Sequence, residues 1–238
     1  MAENIPPAIS RFKRTAWKPI VANCDGSPSA SKFSGLPWLA PGEDWPSCGN
    51  CGKPAEFFVQ LNLDELPEPL GNEFGPGLLQ MFYCTSADPP CDVDCEGWSP
   101  FARCMTVRVV QPGRDAGAIE SVPVVSPFPP RLITGWQEID DYPNSEEGAV
   151  LGVELEDSEW DLLSTHGIPR AGDKLAGWPC WVQGIEYPRC PLCGDEMRLL
   201  FQLDSNDNLP FFFGDLGCGH ITQCKTHKHQ VAFGWACG

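Results

Sequence analysis

Positive charge is scarce in this chain of 238 residues. Lysine and arginine number 16 against 32 aspartates and glutamates, which leaves a formal net charge of −16. A protein that follows a nucleic-acid backbone needs a cationic surface, so we expect no nucleic-acid partner. A basic protein is the more natural partner for such a charge, and the alternative is that the charge serves only solubility.

Long apolar runs are also missing. No stretch approaches the roughly 18 apolar residues that a membrane-spanning helix requires. The first residues, MAENIPPAISRFKRTAWKP, contain no apolar h-region of a signal peptide. We therefore expect no membrane partner and a cytoplasmic location. Disulfides are reduced in that compartment, so the 13 cysteines of the chain need another explanation.

Standard catalytic motifs do not occur in the sequence. It contains no Gly-x-Ser-x-Gly, no phosphate-binding Gly-x4-Gly-Lys-Ser/Thr, no His-Glu-x-x-His and no Gly-x-Gly-x-x-Gly. Histidine, the commonest acid–base catalyst, occurs only four times. These absences favour a protein that is not an enzyme.

Turn-forming residues, in contrast, are abundant. Glycine (24) and proline (25) make up about a fifth of the chain, well above the roughly 12 % of an average protein. This composition predicts many turns, short strands and little helix, and hence an α+β fold that is predominantly β. The segment Ala16–Cys24 is predicted to be an edge strand, because Pro19 cannot donate a hydrogen bond inside a sheet.

A repeat organises the chain. Eight residues of the segment Ser31–Pro67 recur in Asp173–Pro210, always at a separation of 142 residues, as in 174 − 32 and 202 − 60. The identical pairs are Lys32 and Lys174, Gly35 and Gly177, Pro37 and Pro179, Cys48 and Cys190, Cys51 and Cys193, Gly52 and Gly194, Gln60 and Gln202, and Leu61 and Leu203. An ungapped match of this length indicates a tandem duplication.

The second copy carries the spacing of a metal site. Cys190-x2-Cys193 is followed, after thirty residues, by Cys224-x2-His227. Two such pairs place four soft donors around one ion, and zinc is the usual metal for this ligand set. The alternative is a set of reduced thiols in turns. His229 lies two residues beyond His227 and points the other way in an extended segment, so it is left out of the set.

The first copy offers a similar set. Cys48-x2-Cys51 combines with Cys84, which ends a predicted strand as Cys224 does, and the fourth ligand is Cys91 or Cys95. We prefer Cys91, which is nearer the strand end. A redox pair is disfavoured for the first two thiols, because the Gly-Lys-Pro that follows them starts no helix to activate a thiolate. We expect up to two structural Zn²⁺ ions per chain.

Two glutamines and two lysines recur at equivalent positions. Gln60 and Gln202 interrupt apolar strands, and a buried amide must be hydrogen-bonded. We expect each to tie its strand to the Lys-x-x-Gly-x-Pro loop of its own copy, with ligand binding as the alternative. Lys32 and Lys174 are interpreted in the same way, as loop anchors first and partner contacts second.

The predicted architecture is one compact protein made of two zinc-ribbon-like β-units. The first half covers residues 1–110 with the knuckle Cys48/Cys51, a connector rich in proline, glycine and acidic residues covers 111–150, and the second half covers 151–238 with the knuckle Cys190/Cys193. The acidic stretch Asp140–Glu147 is predicted to be exposed.

Several motifs of the first copy resemble the YwqG-like family, a bacterial domain family of unknown function. They are Ser-Lys-Phe-x-Gly-Leu-Pro-Trp at 31–38, Cys-Gly-x-Cys-Gly-Lys-Pro at 48–54, Phe-x-x-Gln-Leu at 57–61 and Leu-Leu-Gln-Met-Phe-Tyr-Cys at 78–84. The duplicated cysteine pattern is more distantly similar to programmed cell death protein 2 and its yeast relative, which are chaperones for a ribosomal protein. That resemblance implies that the cysteine and histidine sets described above match metal-ligand positions.

These observations favour a zinc-stabilised, non-enzymatic module, chaperone- or adaptor-like, that binds a basic protein client. The acidic stretch Asp140–Glu147 is a candidate docking surface for that client. One alternative is an immunity-type inhibitor of a basic toxin, which would be equally acidic. Another is an enzyme with a site in the cleft between the repeats, where paired polar residues with perturbed pKa values would be expected.

Overall fold

The computed structural model describes residues 5–87, 89–119 and 121–238. Strands dominate this part of the chain, and the few helices are short. The strands are β1 (Arg14–Ala22), β2 (Lys32–Phe33), β3 (Glu56–Asn62), β4 (Leu78–Tyr83), β5 (Met105–Val110), β6 (Arg131–Asp141), β7 (Lys174–Ala176), β8 (Arg198–Asp204), β9 (Cys218–Gln223) and β10 (Val231–Ala236). The α-helices are α1 (Pro7–Ser10), α2 (Cys91–Asp94), α3 (Ser145–Val150) and α4 (Asp157–Thr165).

All ten strands of the described residues belong to one antiparallel sheet, in the order β10-β9-β8-β7-β1-β6-β2-β3-β4-β5. The order has the same form from either end: β1 and β6 lie in the middle, and each flank runs outward in chain order. The central strands are exchanged between the two halves: β1, from the start of the chain, pairs with β7 of the second half, and β6, which precedes the second half, pairs with β2 of the first. Each half of the chain therefore depends on the other half to complete its sheet.

The two outer strands of the sheet approach each other, so the sheet is nearly closed. The backbone N–H of Trp235, on β10, donates to the carbonyl oxygen of Trp98 at 3.0 Å. Its indole Nε1 donates to the Tyr83 hydroxyl, on β4, also at 3.0 Å. Large aromatic side chains from both halves fill the interior; they include Phe33, Phe58, Tyr83, Phe201, Phe213, Phe233 and Trp235.

The position of β1 corrects the edge-strand prediction for Ala16–Cys24. The strand lies at the centre of the sheet, between β6 and β7. The short β7 pairs only with Ala16 and Trp17, so Pro19 lies beyond its end, where one side of β1 is unpaired. A proline is tolerated there for the same reason that it is tolerated at a sheet edge.

The connector predicted over 111–150 also differs from the structure. Its irregular part ends at Pro130, and residues 131–141 form β6, one of the two central strands. Helix α3 follows within the same range. Acidic residues and Gly135 obscure β6 in the sequence, although Ile133 on this strand is buried in the core.

Every helix in the described ranges falls short of the length and apolarity of a membrane-spanning segment.

Candidate metal centres

The first knuckle brings four thiols together, which we call the CCCC group: Cys48, Cys51, Cys84 and Cys91. Their sulfur atoms all lie within 4.8 Å of one another. The Sγ atoms of Cys48 and Cys91 are 3.5 Å apart, and those of Cys51 and Cys84 are 3.6 Å apart. A tetrahedron with metal–sulfur distances of about 2.3 Å has edges of about 3.8 Å, so the spacing suits a four-coordinate ion.

The local fold of the knuckle holds this spacing. The backbone N–H groups of Asn50 and Cys51 point at the Cys48 sulfur, at 3.3 and 3.5 Å. Gly52 closes the turn with a positive φ of 72°, a conformation that glycine adopts without strain. Cys84 follows directly after β4, and Cys91 begins α2. The knuckle turn, a strand end and a helix start thus converge on a single point.

The second knuckle assembles an equivalent set, the CCCH group: Cys190, Cys193, Cys224 and His227. These ligand atoms also lie within 4.8 Å of one another. Cys193 and Cys224 have a sulfur–sulfur distance of 3.6 Å. The Nδ1 atom of His227 lies 3.7 Å from the sulfur atoms of both Cys190 and Cys224.

The second group is built by the same local devices. The N–H of Leu192 points at the Cys190 sulfur at 3.4 Å, and Gly194 ends the turn with a φ of 76°. Cys224 follows directly after β9, as Cys84 follows β4. In both groups the second cysteine of the knuckle is exposed at the surface while the first is buried.

All 13 cysteines are free thiols. The close sulfur pairs are separated by 3.5 Å or more, far beyond the roughly 2.05 Å of a disulfide bond.

One thiol of each group is unusually acidic. Burial opposes ionisation of Cys51, but hydrogen bonds from the Lys53 backbone and from neighbouring thiols outweigh it and lower the pKa of Cys51 to about 7. The pKa of Cys224 falls to about 6, because hydrogen bonds from the His227 and Thr226 backbone outweigh the effect of burial. Burial raises the pKa of Cys91 to about 11. Each group therefore offers one thiol that ionises near neutral pH, the form that binds metal.

Two further side chains near the groups, Cys95 and His229, do not belong to them. Cys95 lies outside the CCCC group, and its thiol donates to the Cys91 carbonyl oxygen at 3.1 Å. His229 is exposed, with its ring 6.2 Å from that of His227, and lies outside the CCCH group. The geometry thus brings together the preferred eight residues, and metal binding by them stays a prediction.

The predicted anchors of the first half meet in one buried network. The Nζ atom of Lys32 donates to Asp25 Oδ1 at 2.6 Å and to the Leu36 carbonyl at 2.9 Å. Gln60 lies opposite Lys32 in the β2–β3 pair, and its Oε1 atom accepts from the Trp38 backbone N–H at 3.0 Å. The network therefore fixes the loop after β2 onto the sheet.

The second half repeats these contacts. Lys174 Nζ donates to Asp141 Oδ2 at 2.8 Å, and the Trp178 N–H donates to the same carboxylate at 2.8 Å. Gln202 lies opposite Lys174 and accepts from the Cys180 N–H at 2.8 Å. Both lysines and both glutamines of the two networks are fully buried. Their contacts agree with loop anchoring, and a role in ligand or partner binding stays a prediction.

The acidic stretch Asp140–Glu147 is exposed only in part: Asp140 and Glu146 are exposed, and the other two acids are buried. Asp141 has no exposed surface and Glu147 is 5 % exposed. Asp141 balances the charge of Lys174, which follows 33 residues later, and Glu147 accepts from the Trp181 indole at 2.9 Å. Long-range partners therefore draw both acids into the interior.

A cysteine and a histidine outside the metal groups lie close together on β9. Cys218 Sγ is 3.7 Å from His220 Nε2, and both side chains are buried. Burial raises the pKa of Cys218 and lowers that of His220 to about 3, so both groups stay neutral at physiological pH. A nucleophilic cysteine needs the opposite, a thiolate beside an imidazolium. The pair therefore does not support cysteine catalysis.

Sequence reasoning missed a cavity of about 580 Å³ beside β9 and β10. Its lining includes Trp98, Trp181, Tyr187, His220 and Trp235. These residues come from four separate segments, so no local motif signals the cavity. Gly234 of β10 is a hint to it, because a glycine inside a strand often marks a close approach of another segment.

The model of one protein family, described as "Domain of unknown function (DUF1963)", matches residues 31–237. The chain is also 42 % identical over 40 residues to the uncharacterized protein YpfL of Salmonella typhimurium. That match covers 17 % of this chain and 9 % of YpfL, so the chain spans a small part of this relative.

Proposed function

The chain belongs to the DUF1963 family, and we propose that it is a zinc-stabilised, non-enzymatic module that binds a basic protein. The observation that carries the zinc proposal is the convergence of four cysteine or histidine ligands at each of two knuckles, within 4.8 Å in both cases. Sets of four cysteines, or of three cysteines and a histidine, hold structural zinc with all four positions taken by protein. Such sites leave no position for a catalytic water, which supports a structural role.

We also infer that the two halves are copies of one zinc-ribbon-like unit. The Gln60 side-chain amide donates to the Ala30 carbonyl at 2.9 Å, and the Gln202 amide donates to the Gly172 carbonyl at 2.8 Å. These donors and acceptors are related by the same 142-residue separation as the sequence repeat. The shared hydrogen bonds support a common origin, because they need not match in halves that merely look alike.

The finer family resemblance belongs to the same proposal. A YwqG-like identity is supported by the motifs of the first copy, and a distant relation to programmed cell death protein 2 is supported by the paired cysteine groups. Client binding of the chaperone type follows from that relation only as analogy. A cytoplasmic location, where thiols stay reduced and available to zinc, is part of the proposal.

An acidic segment between β6 and β7 supports the basic partner. Residues 142–169 contain seven acidic residues and no lysine or arginine. Of these acids Glu146, Glu154, Glu156, Asp157 and Asp161 are exposed. The segment carries α3 and α4, so its charge is held on ordered structure. Long-range attraction to this surface would speed the capture of a basic protein and would weaken as salt rises.

The test begins with affinity purification from the source organism and identification of the recovered proteins. The dissociation constant of the main basic partner is then measured for a triple variant, Glu146→Gln, Glu154→Gln and Asp161→Asn. We expect binding to weaken about threefold to tenfold at low salt, with a nearly unchanged melting temperature because all three side chains are exposed.

The matched control is Glu65→Gln, Glu68→Gln and Asp115→Asn, which removes three exposed charges elsewhere on the chain. Equal weakening by the control would show that net charge alone matters and would contradict docking on the acidic segment. Recovery of no basic protein at low salt would contradict the proposed function itself. A toxin as the main partner would instead favour the inhibitor alternative.

A further inference from the structure

The cavity beside β9 and β10 lies against two loops from different halves of the chain. One wall is the loop from Trp181 to Pro188, and the other is the loop from Trp98 to Pro100. The side chain of Trp98 is 41 % exposed, which is high for a tryptophan on an ordered wall. The floor is formed by His220 and Thr222 of β9 with small residues of β10.

The strand registers show which residue of the first half corresponds to the cavity floor of the second half. Gln60 is paired with Gln80 and then with Arg108, across β3, β4 and β5. In the second half Gln202 is paired with His220 and then with Gly234, across β8, β9 and β10. Gly234 therefore takes the position of Arg108.

The side chain of Arg108 is held by contacts of the kind that bind a cation. Its Nε atom donates to Gln80 Oε1 at 2.9 Å, and its guanidinium pairs with Glu43 at 2.5 Å. The guanidinium also lies over the ring of Phe82, 5.9 Å from the centroid. A carboxylate from the covering loop, an amide on the sheet and an aromatic ring thus hold one positive charge.

Smaller side chains open this place in the second half. Gly234 and Ala236 stand where the first half has Arg108 and Val110, as the strand registers show. A Cβ atom at position 234 would lie 3.1 Å from the Trp98 carbonyl oxygen, so glycine also lets the second wall approach. The cavity therefore lies beside the position that the first half fills with its own arginine.

The groups around the cavity suit a cation. Among the described residues that line it, Glu186 is the side chain with a full charge, and it is exposed. His220 stays neutral because burial lowers its pKa to about 3, and burial raises the pKa of Tyr187 above its usual range. The faces of tryptophan and tyrosine attract cations, most strongly where water is excluded.

We propose that this cavity binds the guanidinium group of an arginine side chain presented by a basic protein partner. The bound group would take the place that Arg108 fills in the other half. The inference deepens the proposed function and depends on it for the identity of the partner. It adds a specific anchor to the general attraction of the acidic segment, which adjoins the cavity: Glu146 lies beside Gly184 of the covering loop.

The test is a titration of the purified full chain, prepared without chelators, with Nα-acetyl-arginine amide. Indole N–H signals are followed by ¹H–¹⁵N NMR. We expect the signals of Trp98 and Trp181 to shift, while those of Trp38 and Trp45, in the first half, stay in place. Acetyl-citrulline amide has nearly the same shape without the charge, and we expect it to bind at least threefold more weakly.

Two variants locate the site. Glu186→Gln should weaken arginine binding about twofold to fivefold, and Trp98→Ala should weaken it by a similar factor. The control is Asp44→Asn, because position 44 precedes 186 by the repeat separation of 142 and is also exposed. Citrulline binding as tight as arginine binding would overturn the proposal. The proposal would also be overturned if Glu186→Gln and Asp44→Asn weakened arginine binding equally. The same holds if arginine shifted the indole signals of Trp38 and Trp45 alone.

A parallel measurement with protamine, an arginine-rich protein, separates this inference from the proposed function. If the wild-type chain binds protamine but acetyl-arginine amide shifts neither cavity tryptophan, the arginine site is wrong and the basic-partner proposal stands. If neither ligand binds, both fail. If protamine binds and Glu186→Gln weakens it more than Asp44→Asn does, both are supported.

Discussion

The two halves of this molecule share their strand pairing and anchoring residues, and they differ in whether side chains fill the space beside the outer strand pair. Both place a lysine opposite a glutamine on adjacent strands. In both, a cysteine of the candidate metal group follows directly after a strand. The first half covers the outer strand pair with Arg108 and Glu43, whereas the second half leaves a cavity at the matching position. The comparison shows that the two halves share the anchoring contacts while the residues around them differ.

The halves also differ in how deeply they bury the carboxylate that pairs with the lysine. Lys32 pairs with Asp25, whose side chain is 29 % exposed, while Lys174 and Asp141 are both fully buried. Asp25 lies in the connection between β1 and β2, whereas Asp141 is the last residue of the central strand β6.

The largest expected effect is on the stability of variants that remove the carboxylate from one of these two ion pairs. Asp141→Ala leaves the buried Lys174 without a carboxylate partner, and we expect a loss of about 3–5 kcal/mol in the free energy of unfolding. Asp25→Ala should cost about 1–2 kcal/mol, because water can reach the site of the lost carboxylate. Urea unfolding at pH 7 measures both. Equal losses would show that the difference in burial does not govern the stability of the two networks.

A smaller effect concerns His220, which stands where the first half has Gln80. The folded chain keeps the pKa of His220 at about 3, whereas the unfolded chain takes up the proton near pH 6.5. Stability should therefore fall as pH drops from about 6.5 toward 3, by about 2 kcal/mol at pH 5. His220→Gln should remove this component, so the variant should lose less stability than the wild type between pH 8 and pH 5.

Chemical denaturation at the two pH values gives the result as a difference between the two proteins. The difference is the useful quantity, because metal affinity changes with pH in both. His166→Gln, at an exposed position after α4, is the control and should behave as the wild type does. A variant whose pH profile matches that of the wild type would contradict the neutral, buried state of His220.

Local patterns in the sequence predicted much of the candidate metal site. The two-residue spacing within each knuckle forces a tight turn, and Cys84 and Cys224 follow strands that the hydrophobic pattern also indicates. Helix α4 begins with a capping box formed by Glu156 and Glu159, which lie three residues apart in the sequence. Such local details are within reach of sequence reasoning because they depend on neighbours along the chain.

Long-range pairing explains what the sequence did not predict. The exchange of β1 and β6 between the halves joins residues more than 100 positions apart, such as Trp17 and Glu138. Asp141 seemed to belong to an exposed acidic run, because its lysine partner lies on a distant strand. The cavity depends on Gly234 and on a loop of the other half, so no local motif reveals it.

The most direct test of the account is the zinc content of the intact chain, measured by native mass spectrometry. The wild type should carry two zinc ions, and Cys51→Ser and Cys193→Ser should each carry one, because each removes a ligand from one group. Cys95→Ser, which alters the thiol beside the CCCC group, should keep both. A wild-type chain without zinc, or a Cys95→Ser chain that loses an ion while Cys91→Ser keeps both, would contradict the two metal centres described here.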